Sequence, residues 1–187
     1  TLKINIITNN NQYGLTNDAK ILVSTLMQIS KTSKHFNFQV RPVNFYSSEC
    51  GSVDINFFLE LPNPLLIHTA KINILVPNQE WFFKDWTNYL HLFDFVWCKT
   101  KLAKQILSEH IDTSKLIYVG WNSIDKFSLK FKKNMKSFLH VAGRSILKGS
   151  NSIIESWKPD WPVLSVIYNK QSNHIVEKSQ DNIIYYS

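Results

Sequence analysis

Arg144 and Lys148 stand four residues apart in the stretch GRSILKG, bracketed by Gly143 and Gly149, between an apolar run and a segment of helical character. A planar guanidinium and a compact ammonium at that spacing suit the oxygens of phosphate groups. The start of a helix adds free amides and a favourable dipole. The plain alternative is a pair of solvated loop cations. Composition bears on the choice: of the 21 Lys and Arg residues, Arg41 and Arg144 are the two arginines, so lysine is the default cation and each arginine is informative. With abundant Asn and Ile, that imbalance has the look of an AT-rich coding sequence.

A second set of candidates is more dispersed. His68 lies in PNPLLIHTA, Glu80 in PNQEWF, and Lys99 and Thr100 at the end of DFVWCKT. Each has a structural alternative. A lone histidine serves as a surface or core residue, and Glu80 suits the positive end of a short helix. Lys99 and Thr100 either end a strand or face a cleft. Gly14 sits in the turn-rich NNNQYGLTN, where a glycine allows close backbone approach to a ligand or simply makes a tight turn. Trp81, Phe82, Trp86 and Trp97 could stack on a flat face of a ligand; burial in a core is the expectation, because aromatic area contributes most when buried. His140, just before Gly143, is expected to serve packing.

The elements that would position these residues alternate regularly. Short apolar runs at 2–7, 36–42, 53–61, 71–77, 94–100 and 115–121 predict six strands. Ala19, Leu22, Val23, Leu26 and Ile29 recur at helical spacing and predict a helix from about Asp18 to Ile29, with Thr16 or Asn17 as cap. KLAKQILSEH predicts another over 101–110. Residues 79–92 read as one or two helical turns carrying an aromatic cluster. Strands alternating with helices predict a Rossmann-like α/β fold, a doubly wound parallel sheet covered on both faces. The lysine-rich segment 123–136 reads as a linker. A new strand, loop and helix follow over 137–157, then strands at 162–168 and 182–186. The expected organisation is therefore a first domain over 1–122 and a partial second Rossmann-like domain over 137–187. About 50 residues are few for an independent core, so the second domain is expected to be cut short or to pack on the first.

The segment FLHVAGRSILKGSNSIIESW resembles the G-R-x(3)-K-G motif and following helix that open the donor domain of group 1 retaining glycosyltransferases. YGLTNDA, ILVPNQEWF, FDFVWCKTKLAKQI and YVGWNSID are similar to successive pieces of the same family, so the resemblance spans nearly the whole chain. It implies the GT-B architecture, an acceptor-side N-terminal domain and a donor-side second domain. It further implies that Arg144 and Lys148, with Gly143 and Gly149, hold the diphosphate of a nucleotide-sugar donor. Gly14, Lys99 and Thr100 would then lie on the acceptor side, with Glu80 and His68 as candidate catalytic residues. The implied reaction transfers a sugar, with retention, to a hydroxyl of a glycan, lipid or protein acceptor. The family's second donor motif, two acidic residues separated by seven others, has no counterpart before Ser187. A non-catalytic glycan- or nucleotide-binding module is the alternative expectation.

Class-level features narrow the field. The chain has 187 residues, 44% hydrophobic and 19% charged, which predicts a globular protein and not a disordered one. No apolar run reaches the roughly 18 residues of a membrane span. Cys50 and Cys98 have no metal or redox spacing, so neither a metal nor a cofactor is expected and a reduced, cytoplasmic setting is. A net charge of +7 admits phosphate-bearing ligands, an anionic membrane surface or nucleic acid. Lys130, Lys132, Lys133 and Lys136 either solvate the linker or make a membrane or nucleic-acid contact. Nucleic acid is disfavoured, because basic and aromatic residues are not interleaved in the usual recognition patterns.

Overall fold

The computed structural model describes residues 1–11, 14–123, 135–143, 146–169 and 174–187. They fall into two compact units, Thr1–Asp125 and Lys126–Ser187. Most of the expected linker, 124–134, lies outside the described residues.

The first unit is a six-stranded parallel sheet. Its strands are β1 (Leu2–Thr8), β2 (Phe38–Asn44), β3 (Val53–Leu59), β4 (Ala70–Val76), β5 (Phe95–Cys98) and β6 (Leu116–Tyr118), in the order β2-β1-β3-β4-β5-β6. Central parallel strands are buried on both faces, which is why INII, INFF and NILV are apolar on both faces, apart from one asparagine each, and do not alternate. Helix α1 (Gly14–Thr32) covers one face, where Leu22 and Leu26 pack with Ile4, Ile6, Phe57, Leu59 and Ile74. The other face carries the 3-10 turns Pro64–Thr69 and Lys84–Leu92 and helix α2 (Lys101–Leu107), packed around Phe58, Leu75, Leu90, Phe93 and Val96. The connection β1-α1-β2 thus uses the opposite face from the connections among β3, β4, β5 and β6. Right-handed crossovers require this when the strand order reverses, and the reversal lies between β1 and β3.

One polar rung crosses this apolar sheet. Asn5 pairs in register with Arg41 on β2 and Asn56 on β3, and Asn56 pairs with Asn73 on β4. Arg41 donates from Nε and Nη2 to Asn5 Oδ1 at 3.1 and 3.0 Å. Asn5 Nδ2 donates to Asn56 Oδ1 at 3.0 Å. Asn56 Nδ2 meets Leu66 O, Thr69 Oγ1 and Asn73 Oδ1, and Asn73 Nδ2 donates to Ile67 O. Arg41, informative by its rarity, is therefore spent on a buried amide ladder that ties the 3-10 turn Pro64–Thr69 to the sheet.

The second unit is a separate parallel sheet of β7 (Ser137–Gly143), β8 (Val163–Tyr168) and β9 (Ile183–Tyr186), in that order. Helix α3 (Ser150–Ser156) covers one face through Ile154, against Leu164, Val166 and Ile183. On the other face Leu139, Val141, Ile167 and Ile184 remain exposed.

Boundaries moved in instructive ways. The helix expected from Asp18 begins at Gly14, because Leu15 is already buried and extends the apolar stripe by a turn. Gly14 therefore opens a helix instead of lying in a loop, and a Cβ there would meet nothing. Thr16 is inside the helix, its hydroxyl bonded to Asn10 Oδ1, instead of capping it. The second strand is shifted two residues onward to 38–44 and includes Pro42, which an edge strand tolerates. Trp81 is 47% exposed, against the expectation that it fills the core; its 3-10 turn, Gln79–Trp81, carries no buried residue. Phe82 and Phe83 do pack edge-on against Trp86, and Trp97 packs against Phe57.

Candidate functional site

In open α/β sheets ligands gather at the carboxyl ends of the strands. At that edge of the first sheet three other segments converge on Lys99, the residue after β5. Its ammonium is paired with Asp18 of α1 at 2.5 Å and donates to Asn78 Oδ1, beyond β4, at 2.7 Å. It also lies 4.6 Å from the ring centroid of Trp121, beyond β6. Trp121 Nε1 donates to the second Asp18 oxygen at 3.0 Å. Asn78 Nδ2 donates in turn to Glu60 Oε1 at 3.1 Å. Glu60 follows β3 with φ of 73°, in the left-handed region where a non-glycine residue is strained. Its amide bonds Val76 O, which holds the turn in that shape.

The remaining first-unit candidates fall differently. Thr100 is the N-cap of α2, its hydroxyl accepting from Ala103 N at 3.0 Å. Glu80 is exposed on the loop that carries Asn78, at the same sheet edge. His68 is exposed just before β4 begins, at the amino end of that seven-residue strand. A strand of that length puts it about 20 Å from the edge where Asn78 and Lys99 meet. The structure brings together Lys99 and the Glu80 loop, and leaves His68 apart. Sequence reasoning missed Glu60, Asn78 and Trp121 and read Asp18 only as the start of a helix. Their shared signal was position: Glu60 and Trp121 lie at the carboxyl ends of predicted strands, Asn78 follows one, and Asp18 follows the glycine segment.

In the second unit, β7 runs into Gly143 with a register irregularity against β8 between Val141 and Gly143. Arg144 lies outside the described residues. Lys148 is exposed, and its ammonium is 3.4 Å from Val141 O, at the carboxyl end of β7. Gly149, the residue before α3, has φ of 65°, a conformation that glycine adopts without steric cost. His140 Nε2 is 2.8 Å from the hydroxyl of buried Ser150, joining the strand to the first residue of α3.

Burial first, and the Lys148 ammonium second, hold His140 below the ordinary histidine pKa. The folded unit thus favours the neutral ring, and the unfolded chain takes up the proton first as pH falls. This contribution is complete above the unfolded value of about 6.5 and is lost as pH drops toward the depressed folded value. We expect the second unit to lose stability below about pH 6.5, and the loss to be smaller in His140→Gln. Thermal melts of both proteins across that range check this; identical pH profiles would refute it.

Among the described residues, no group of three His, Cys, Asp or Glu could hold a metal ion. No helix there is long and apolar enough to cross a membrane. Cys50 and Cys98 are free, and burial raises the Cys98 thiol pKa, which disfavours a reactive thiolate.

No family model and no curated protein matches this chain. Among solved structures, it is similar to UDP-N-acetylglucosamine 2-epimerase from Rickettsia bellii, with a TM-score of 0.57 and 13% identity. The match covers 100% of this chain and 68% of that one. At this identity the likeness speaks to fold. It supports the Rossmann-like α/β class and a GT-B-like fold, without reaching the group 1 glycosyltransferases in particular.

Proposed function

We propose that this chain binds a nucleotide sugar through the loop between β7 and α3, and that it serves transfer of the sugar to an acceptor hydroxyl. The observation that carries the reading is the position of Lys148. It is an exposed ammonium at the carboxyl end of β7, beside a left-handed Gly149, within the motif that resembles a diphosphate-binding segment. The fold shared with an enzyme named for UDP-N-acetylglucosamine adds support for nucleotide-sugar chemistry in general.

In this reading Arg144 and Lys148 neutralise the diphosphate as it takes up charge on departure, an electrostatic role that needs no covalent step from the protein. The Lys99 edge of the first sheet is the acceptor-side surface, and Glu80 is the candidate to accept the hydroxyl proton. Transfer with retention follows from the family resemblance.

Titration calorimetry with UDP, GDP and their sugars tests the binding, and a parallel turnover assay follows released diphosphate and any epimerised sugar. Arg144→Ala and Lys148→Ala are each expected to weaken binding by about 1–3 kcal/mol, the range of charge-assisted hydrogen bonds. Arg144→Lys should recover part of the loss, because the two-pronged contact is missing. Unchanged affinity in both alanine variants would move the phosphate site elsewhere. Binding without turnover would favour a non-catalytic module, and epimerisation without transfer would replace the transferase reading.

A further inference from the structure

A second cleft, of about 540 Å³, lies in the first unit between α1 and the carboxyl ends of β1 and β2. Its origin is topological. Residues at alternate positions of β1 share a face, so Thr8 points the way Ile4 and Ile6 do, toward α1. In register beside them on β2 are Pro42 and Asn44, both exposed. The helix buries Leu22 and Leu26 over the middle of the sheet, and its flank, with Ala19 and Val23, slopes away above the edge strand. The small Ala19 and the ring of Pro42 leave the gap unfilled. Its volume is within the range of small-molecule sites, about 300–1,000 Å³.

Two features say what would fill it. Thr8 Oγ1 is buried and has no hydrogen-bond partner among the described residues. A buried hydroxyl left unpaired costs free energy, so an occupant that bonds to it gains what the fold leaves unmade. Among the described residues the charged one in the lining is Lys20, on the exposed side of α1, with no acid beside it. We propose that this cleft binds a small amphipathic anion, its apolar body against Ala19, Val23 and Pro42, a polar atom at Thr8 and its acidic group at Lys20. The cleft is lined by residues of the first unit alone, and the proposal does not depend on the nucleotide-sugar reading.

The full chain is titrated with 1-anilinonaphthalene-8-sulfonate, an apolar body with one anionic group, and with N-phenyl-1-naphthylamine, the same body uncharged. We expect saturable 1:1 binding of the sulfonate. Ser24→Trp, at an exposed lining position, should fill the cleft and remove binding of both probes without changing the fold seen by circular dichroism. Lys20→Gln should weaken the sulfonate about three- to tenfold and leave the uncharged probe unaffected. Thr8→Val should weaken the sulfonate probe while melting at or above the parent temperature, since it removes an unpaired polar atom without changing shape. Absence of saturable binding overturns the proposal. So does parental affinity in Ser24→Trp, or an equal effect of Lys20→Gln on both probes.

Discussion

Replacing Asn56 with alanine is expected to destabilise the first unit by about 3 kcal/mol, the upper part of the usual range for single substitutions, and to lower its melting temperature by about 10 °C. Asn56 is fully buried and is the middle of the rung that crosses four strands. Its carbonyl accepts from Asn5, and its amide nitrogen is shared among Leu66 O, Thr69 Oγ1 and Asn73 Oδ1 at 2.9–3.2 Å. Truncation leaves several of these groups in an apolar interior with too few partners, each costing about 1–3 kcal/mol before relaxation. Asn56→Leu separates the causes. If the loss came from an empty volume, leucine would restore most of it; if it comes from orphaned polar groups, leucine restores little. Asn37→Ala, which removes an exposed bond to Thr1, is the control and should melt within about 0.5 kcal/mol of the parent. An Asn56→Ala protein that melts with the parent would show that the rung contributes nothing to stability.

That rung also marks the limit of what the sequence reveals. Its asparagines were legible as letters: Ile-Asn recurs at 4–5, 55–56 and 72–73, each time before further apolar residues on a predicted strand. Set against a composition rich in Asn and Ile, the repeat does not stand out. The strands themselves were plain, because a central parallel strand must be apolar on both faces, and that requirement leaves a run no helix of this length would need. The start of α1 was missed for a related reason. Turn-forming Asn and Gly dominate 9–14, and local chemistry outweighed the single buried Leu15 that continues the stripe.

Candidate site residues stand out in sequence where one short segment holds them. The proposed phosphate segment, Gly143 to Gly149, is contiguous, so its spacing alone suggests chemistry. The Lys99 cluster is assembled from Asp18, Glu60, Asn78 and Trp121, which the chain keeps far apart and the strand order alone brings together. Lys99 was noticed because it ends a strand; its partners needed the topology. Thr100 caps α2, and a cap and a cleft-facing hydroxyl look the same in sequence until the helix start is known.

The pairing of Lys99 with Asp18 gives the other large expected effect. Both side chains are mostly buried, 13% and 18% exposed, and their hydrogen bonds join segments that follow β4, β5 and β6 to helix α1. Lys99→Met keeps the apolar stem and removes the charge. Asp18 then keeps one bond, from the Trp121 indole, for a carboxylate largely withdrawn from water. Breaking a fully buried pair from one side costs about 3–5 kcal/mol; residual solvent contact here reduces the expectation to about 2–3 kcal/mol. Asp18→Asn should cost less than Lys99→Met, because the ammonium keeps Asn78 and the Trp121 face as partners. The double variant, Lys99→Met with Asp18→Asn, should lie closer to the parent than the sum of the two single losses by about 1–2 kcal/mol, since neither charge is then stranded. Urea unfolding of the four proteins closes the cycle. Strict additivity would mean that the pair is solvated well enough to be worth nothing, and that the carboxyl edge of the first sheet is held by its backbone turns alone.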